Sequence, residues 1–283
     1  MVENLIVRPM DAADMDLAVE WAVREGWNPG LADARCFRGA DPDGFLVGEL
    51  DGVPVSCISV VRYGESFGFL GFYIVAPGYR GQGLGLTTWQ AGMNRLQGRN
   101  IGLDGVVDQQ ANYRKSGFKL AHRNVRYQGT TGQVSASNSI CQLEPGDDLV
   151  NEILAYDCGF FAEDRKTFTL GWLAESGHRV IAALDKTSLV GYGVIRPCRQ
   201  GYKVGPLFAE DGEVALAILG RLTGDVESGQ QFYLDVPEPN RAALDMVNGL
   251  DMSSVFETAR MYSIEDPGLP VTRIFGITSF ELG

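Results

Sequence analysis

Histidine is almost missing from this chain: its 283 residues include two, His122 and His178. That argues against a His-rich metal site and against a Ser-His-Asp triad, so no metal is expected. The five cysteines (Cys36, Cys57, Cys141, Cys158, Cys198) are odd in number and never spaced Cys-x-x-Cys. They read as scattered thiols of a reducing compartment, and a cytoplasmic location is expected. No apolar run approaches the roughly 20 residues needed to span a bilayer. The opening MVENLIVRPM lacks the basic leader and apolar run of a signal peptide, so no membrane partner is expected. Basic residues are outnumbered 24 to 36, which argues against a general nucleic-acid binder with its basic face. No Gly-Lys-Ser or Gly-Lys-Thr is present, which excludes a Walker loop.

What is present is a globular composition, 45% hydrophobic and 21% charged, in a length that suits two domains. The charge is uneven. Residues 80–126 carry eight basic and two acidic groups, against five and twelve in residues 1–79 and eleven and twenty-two in residues 141–283. A basic segment inside an acidic protein suggests an anion site; a solvated basic face is the plainer alternative.

The spacing of Met15, Leu17, Ala18, Trp21 and Ala22 predicts a helix over 11–25, followed by a short helix over 31–37. Asp51-Gly52 between apolar runs predicts a hairpin of strands 45–50 and 53–62. A third strand is expected over 67–75, with Gly71 marking a bulge or a close backbone approach. Leu86, Trp89, Met93 and Leu96 make one helical stripe that stops at Gly98. Strand 101–107, a short helix 109–116 and strand 118–127 complete the unit, and the small polar run 129–139 is the best linker. The second half repeats this order: strands 180–184, 189–196 and 202–208, helix 214–222, strand 231–236, helix 241–248. Asp51 and Asp185, Gly71 and Gly205, and Leu103-Asp104 and Leu234-Asp235 recur at nearly constant offset. Two copies of one α+β fold are therefore expected: residues 1–130, a linker 131–140, and residues 141–283. Each copy would be a mixed, mostly antiparallel sheet flanked by helices.

The stretch from Phe72 to Gly85 reads strand, glycine-rich loop, helix. Such a loop turns backbone N–H groups inward, and the helix N-terminus adds partial positive charge, making a pyrophosphate cradle. A dinucleotide fingerprint GxGxxG fails because position 86 is Leu, and the preceding strand meander is not a βαβ crossover.

Arg80-Gly81-Gln82-Gly83-Leu84-Gly85, preceded by Val75-Ala76-Pro77, resembles the acyl-CoA loop Gln/Arg-x-x-Gly-x-Gly/Ala of the GNAT N-acetyltransferase superfamily. The second family element follows as Tyr113-Arg114-Lys115-Ser116-Gly117-Phe118, similar to Tyr-x-x-x-Gly-Phe. The resemblance covers residues 1–128. It extends to a tandem type whose second copy has lost the loop, since the equivalent Ala209-Glu210-Asp211-Gly212-Glu213 would repel pyrophosphate.

The resemblance implies transfer of an acetyl group from acetyl-CoA to an amine by direct attack in a ternary complex. Amides from Gln82 to Leu86 would hold the pyrophosphate, with Arg80 serving loop structure and local charge. Ile74 and Val75 would pair with the pantetheine. The splay near Gly71 would supply an oxyanion site. Tyr113 matches the tyrosine that protonates the departing thiolate; its plainer role is packing. Asn112 is a cofactor contact only by analogy, because Asp108 to Asn112 departs from the family pattern. The base stays open between Glu65 and Asp104, acting through water, or none at all if the amine is already neutral. Trp27, Asn28, Phe72 and Tyr73 are the acceptor candidates, and the acidic second half favours a cationic small-molecule amine. A lysine-directed protein acetyltransferase and a non-catalytic acyl-CoA-binding regulator are the alternatives. Nothing in the sequence indicates an oligomeric state.

Overall fold

A computed structural model describes residues 5–132, 140–142 and 148–283. The first half runs β1 (Leu5–Pro9), α1 (Ala12–Arg24), α2 (Asp33–Ala40), β2 (Phe45–Leu50), β3 (Val53–Tyr63), β4 (Phe67–Val75), α3 (Leu84–Arg95), β5 (Asn100–Val106), α4 (Gln110–Lys115) and β6 (Lys119–Thr130). The second runs β7 (Ile140–Gln142), α5 (Leu149–Asp157), α6 (Lys166–Ala174), β8 (Arg179–Asp185), β9 (Ser188–Pro197), β10 (Tyr202–Ala209), α7 (Gly212–Gly224), β11 (Gln231–Pro237), α8 (Arg241–Gly249), β12 (Ser253–Tyr262) and β13 (Ile274–Gly276). The fold is α+β, with helices flanking a mostly antiparallel sheet.

Local chemistry explains the boundaries. Asp11 caps α1 by accepting from the Asp14 amide, and Asp14 returns the bond to the Asp11 amide, each at 2.9 Å. Asp51 and Gly52 both take positive φ, 52° and 78°, which gives the β2–β3 turn the twist a two-residue hairpin needs.

The strands form one sheet in the order β1-β2-β3-β4-β5-β12-β6-β11-β10-β9-β8-β7, with β13 on β10. The centre of this order is an exchange. β12 of the second half lies between β5 and β6, and β6 of the first half lies between β12 and β11. Each half therefore lends its late strand to the other, and the sequence carries no local sign of it.

Two matching ion pairs clamp the exchange. Asp104 on β5 is directly opposite Arg260 on β12, at 2.6 Å, and Asp235 on β11 is directly opposite Arg126 on β6, also at 2.6 Å. All four side chains are buried. Each arginine also lies over aromatic rings: Arg126 over Phe280 and Phe256, and Arg260 over Phe69. Away from the sheet, Phe37 of α2 stacks on Trp172 of α6 at 6.0 Å, so one hydrophobic core spans both halves.

Four of the eight basic residues in segment 80–126 form ion pairs. Arg95 pairs with Asp41, Arg123 with Glu238, Arg126 with Asp235 and Arg80 with Glu25. These guanidiniums are structural, so charge counting alone does not mark an anion site. The expected linker begins later than its composition suggested. Gly129 and Thr130 belong to β6, and Thr131 is buried, bonded to Gln230 and Glu227 of the second half. Residues 133–139 lie outside the described residues. No helix among the described residues is long and apolar enough to cross a membrane.

Candidate active site

β4 and β5 run parallel only from Phe67 to Leu70 opposite Asn100 to Leu103, and then separate. The separation begins at a bulge. Gly71 is opposite Ser59 and Ile74 is opposite Cys57, so Phe72 and Tyr73 face Ile58 alone, and Phe72 takes φ 46°. Gly71 fulfils both roles its position suggested. It precedes the bulge, and a Cβ there would lie 2.3 Å from the carbonyl oxygen of Glu281. Beyond it opens a cavity of about 670 Å³.

One end of the cavity is the glycine loop. Gly81 and Gly83 take φ 76° and 80°, and no atom lies within 4 Å of where their Cβ would be. Gly83 caps α3 with no side chain on the first amides of the helix; the Leu86 amide donates to the Gly83 carbonyl at 3.1 Å, which leaves the Leu84 and Gly85 amides for a ligand. Gly85 is glycine for a different reason: a Cβ would meet the Tyr73 hydroxyl and Val75 at 2.7 Å each. Arg80 is chiefly loop structure, its Nε donating to the Val75 carbonyl at 2.8 Å while it pairs with Glu25. Leu84 is buried, Leu86 is exposed and lines the cavity, and Gln82 faces solvent with its amide on the Gly78 carbonyl.

Tyr113 stands on the cavity wall. It lies against Gly105, where a Cβ would come within 2.1 Å of the ring, and stacks on Trp89 at 5.7 Å. Burial, reinforced by Tyr73, pushes its phenol up to about 12, so it stays protonated at neutral pH. Asn112 is away from the cavity, bonded to Gln109 and Lys115 on the exposed face of α4.

The two carboxylates considered as bases fare poorly. Glu65 is in the exposed turn between β3 and β4, at the far end of β4 from the bulge, and the structure does not bring it to the cavity. Asp104 does line the cavity, but Arg260 takes both its oxygens and Asn124 donates to one of them at 2.8 Å. The Asp235–Arg126 pair repeats this arrangement in the other half, which marks Asp104 as part of the strand clamp.

Trp27, Phe72 and Tyr73 line the cavity together, with Trp27 edge-on to Phe72 at 6.4 Å. The Trp27 carbonyl is held by Arg126 and Lys203, at 2.8 and 3.1 Å. Asn28 is not in the cavity. Its amide donates to the Gln200 carbonyl and accepts from the Gln200 amide, each at 2.9 Å, fastening the α1–α2 loop to the second half. The remaining wall is one that sequence reasoning missed: Phe256 and Thr258 of β12, and Phe280 and Glu281. They reach the site only through the strand exchange and the buried segment 277–283. Among the described residues no group of His, Cys, Asp and Glu could hold a metal ion.

In the second half, β10 and β11 likewise pair only from Tyr202 to Val204 opposite Phe232 to Leu234. Here the split is filled. β13 pairs with β10 at Leu207 and Phe208, and the next amide, Ile277, donates to Asp235 of β11 at 2.9 Å. The first turn of α7 is also closed, because the Asp211 carboxylate accepts from the Val214 amide at 2.9 Å.

An open split beside a glycine loop and a helix start without a side-chain cap is what the resemblance to acetyltransferases implies, and the comparisons agree. The profile of the Acetyltransferase (GNAT) family matches residues 12–118, and that of an Acetyltransferase (GNAT) domain matches residues 153–276. The chain belongs to the GNAT acetyltransferase family, as a tandem of two GNAT units, and it is an acyltransferase. It is 29% identical over 277 residues to holothin acyltransferase of Pseudoalteromonas sp. (strain SANK 73390), covering 98% of this chain and 94% of that protein. It is 24% identical over 193 residues to YitH of Bacillus subtilis (strain 168), an uncharacterised N-acetyltransferase, covering 68% of this chain and 67% of that protein. Among solved structures, a Pyrococcus horikoshii protein provisionally assigned as an acetyltransferase superposes with TM-score 0.85 at 21% identity, covering 100% of this chain and 97% of that one. A tandem GNAT protein from the clavulanic acid biosynthesis pathway superposes with TM-score 0.63 at 14% identity, covering 93% and 99%.

Proposed function

We propose that the protein transfers an acetyl group from acetyl-CoA to the amine of a small, cationic acceptor, in a ternary complex formed at the β4–β5 split and not at the β10–β11 split. The observation that carries this is the open β4–β5 split running from the uncapped start of α3 to the Phe72 bulge. The α3 amides and the Gly81–Gly83 turn suit a pyrophosphate, and the free edge of β4 at Ile74 suits the amide groups of a pantetheine. The bulged peptides at Phe72 and Tyr73 lie off the ladder, where an oxyanion would be received. The amine nitrogen forms the new C–N bond, and the C–S electron pair leaves with sulfur, which takes the Tyr113 proton.

The acceptor end favours a small cation with an apolar body. Trp27, Phe72, Phe256 and Phe280 supply aromatic walls, and the carboxylates of Asp108 and Glu281 line the same cavity. The holothin acyltransferase likeness supports acyl transfer without fixing the acyl group. A thiol-release assay with acetyl-CoA over cationic amines, neutral alcohols and a lysine peptide tests this. Turnover is expected with small cationic amines; turnover only with the peptide or the alcohols would refute the substrate class. Tyr113→Phe is expected to lower kcat about 100-fold with acetyl-CoA affinity unchanged, and unchanged kcat removes Tyr113 as the acid.

A further inference from the structure

Glu281 is a buried carboxylate on the cavity wall. It is 3% exposed, lies next to the bulge through its contact with Gly71, and lines the cavity beside Thr258 and Phe280. Among the described residues it forms no ion pair, and its Oε2 is enclosed with no hydrogen bond. The charged groups facing it come from four elements: Lys203 on β10, Arg126 on β6, Arg196 on β9 and Asp33 on α2. Arg196 and Asp33 pair with each other and Arg126 pairs with Asp235, while the Lys203 ammonium meets a neutral acceptor, the Trp27 carbonyl, and is the main charge offsetting Glu281. Lys203 offsets part of this charge without bonding the carboxylate, so Glu281 keeps an unfilled acceptor, and beside a cavity that acceptor suits a cationic donor inside it.

We propose that Glu281 receives the acceptor ammonium and acts as the base that takes its proton, so that the second half supplies a catalytic residue to the acyl-transfer site of the first. This rests on the amine reading above. The ammonium gives one proton to the Glu281 carboxylate and becomes a neutral amine. Its lone pair then forms the C–N bond while the C–S pair goes to sulfur with the Tyr113 proton. The surplus proton on nitrogen restores Tyr113, and Glu281 returns its own to solvent. The net products are the amide, the free thiol and one proton.

Burial raises the Glu281 carboxyl above its usual range, with Asp33 adding to the rise and Lys203, Arg126 and Arg196 opposing it. That brings the base toward the operating pH. Its main chain is held independently of its carboxylate: the Leu282 amide donates to Ser279 Oγ at 3.1 Å, and Tyr63 donates to the Leu282 carbonyl at 3.2 Å. Glu281→Gln therefore removes the base and keeps the shape.

The test compares the intact chain, Glu281→Gln and Glu281→Asp with two acceptors. One is a primary alkylamine, protonated at neutral pH; the other is hydroxylamine, largely unprotonated there. Glu281→Gln is expected to lose about 100-fold or more in kcat/KM with the alkylamine and under about 5-fold with hydroxylamine, at unchanged acetyl-CoA affinity. Glu281→Asp is expected to recover part of the alkylamine activity. Equal losses with both acceptors, or no loss with either, overturn the proposal while leaving amine acetylation standing. A wild-type chain that acylates no amine removes the amine reading and this proposal with it.

Discussion

At β4 and at β10 the two halves open the sheet in the same way, and only one opening is left empty. In the first half the split beyond Leu70 is a cavity, and the helix start beside it carries glycines. In the second half the split beyond Val204 is filled by β13, and the helix start is capped by Asp211. The added strand on β10 is this chain's own, where on β4 it would come from a ligand. The same segment then runs on through residues 277–283 to Gly71, the counterpart of Gly205. There too the tail presses on glycine: a Cβ at Gly205 would meet the Ile277 carbonyl at 2.6 Å. One stretch of chain thus closes one site and completes the other.

The largest expected effect concerns the clamp. Arg260→Met and Arg126→Met each leave a buried aspartate unpaired, and each is expected to cost about 3–5 kcal/mol by urea unfolding. A loss below about 1 kcal/mol at either would break the symmetry between the two exchanges.

Next comes the loop. Gly83→Asp gives α3 the kind of carboxylate that α7 has, in a backbone conformation that Asp tolerates poorly. Acetyl-CoA affinity is expected to fall about 100-fold, with the far-UV circular dichroism spectrum unchanged. Unaltered affinity would mean the helix start does not hold the pyrophosphate.

Smaller still is a pH effect shared by the halves. His122 in the first and His178 in the second are each lowered to about 4, mainly by burial. His178 keeps Nδ1 on the Trp172 carbonyl at 2.9 Å, with Nε2 enclosed and unpaired. Both folded values lie below the unfolded value of about 6.5, so the unfolded chain binds protons that the folded chain refuses. Stability is full above pH 6.5 and lost as pH falls toward 4, by about 1–3 kcal/mol for each ring. Thermal melts at pH 7 and pH 5 check this. His122→Gln and His178→Gln should each flatten the slope, and a slope untouched by both would show the rings are charged when folded.

Much of this was legible from the residues. Strands 45–50 and 67–75 match the structure because Asp51-Gly52 and Pro77 end them locally. The glycine loop was legible for the same reason: positive φ at Gly81 and Gly83 is a backbone demand that only glycine meets without strain. β1, β7, α5, α6, β12 and β13 lie outside the elements the sequence predicts. The exchange of β6 and β12 was invisible because a strand's pattern records burial and not the identity of its neighbours. The recurrence of Asp104 as Asp235 was seen, but their arginines lie across the exchange, so Asp104 read as a base. Glu281 lies between Phe280 and Leu282, but no motif or spacing ties it to the first half. Its role depends on a contact with Gly71 that only the folded chain makes.

The most direct test of the account is titration calorimetry of the intact chain with acetyl-CoA. One site per chain is expected, weakened about 100-fold by Gly83→Asp and unaffected by Asp211→Ala, which removes the cap on α7 but leaves β13 in the second split. Two sites per chain, or one site that survives Gly83→Asp at full affinity, would contradict it.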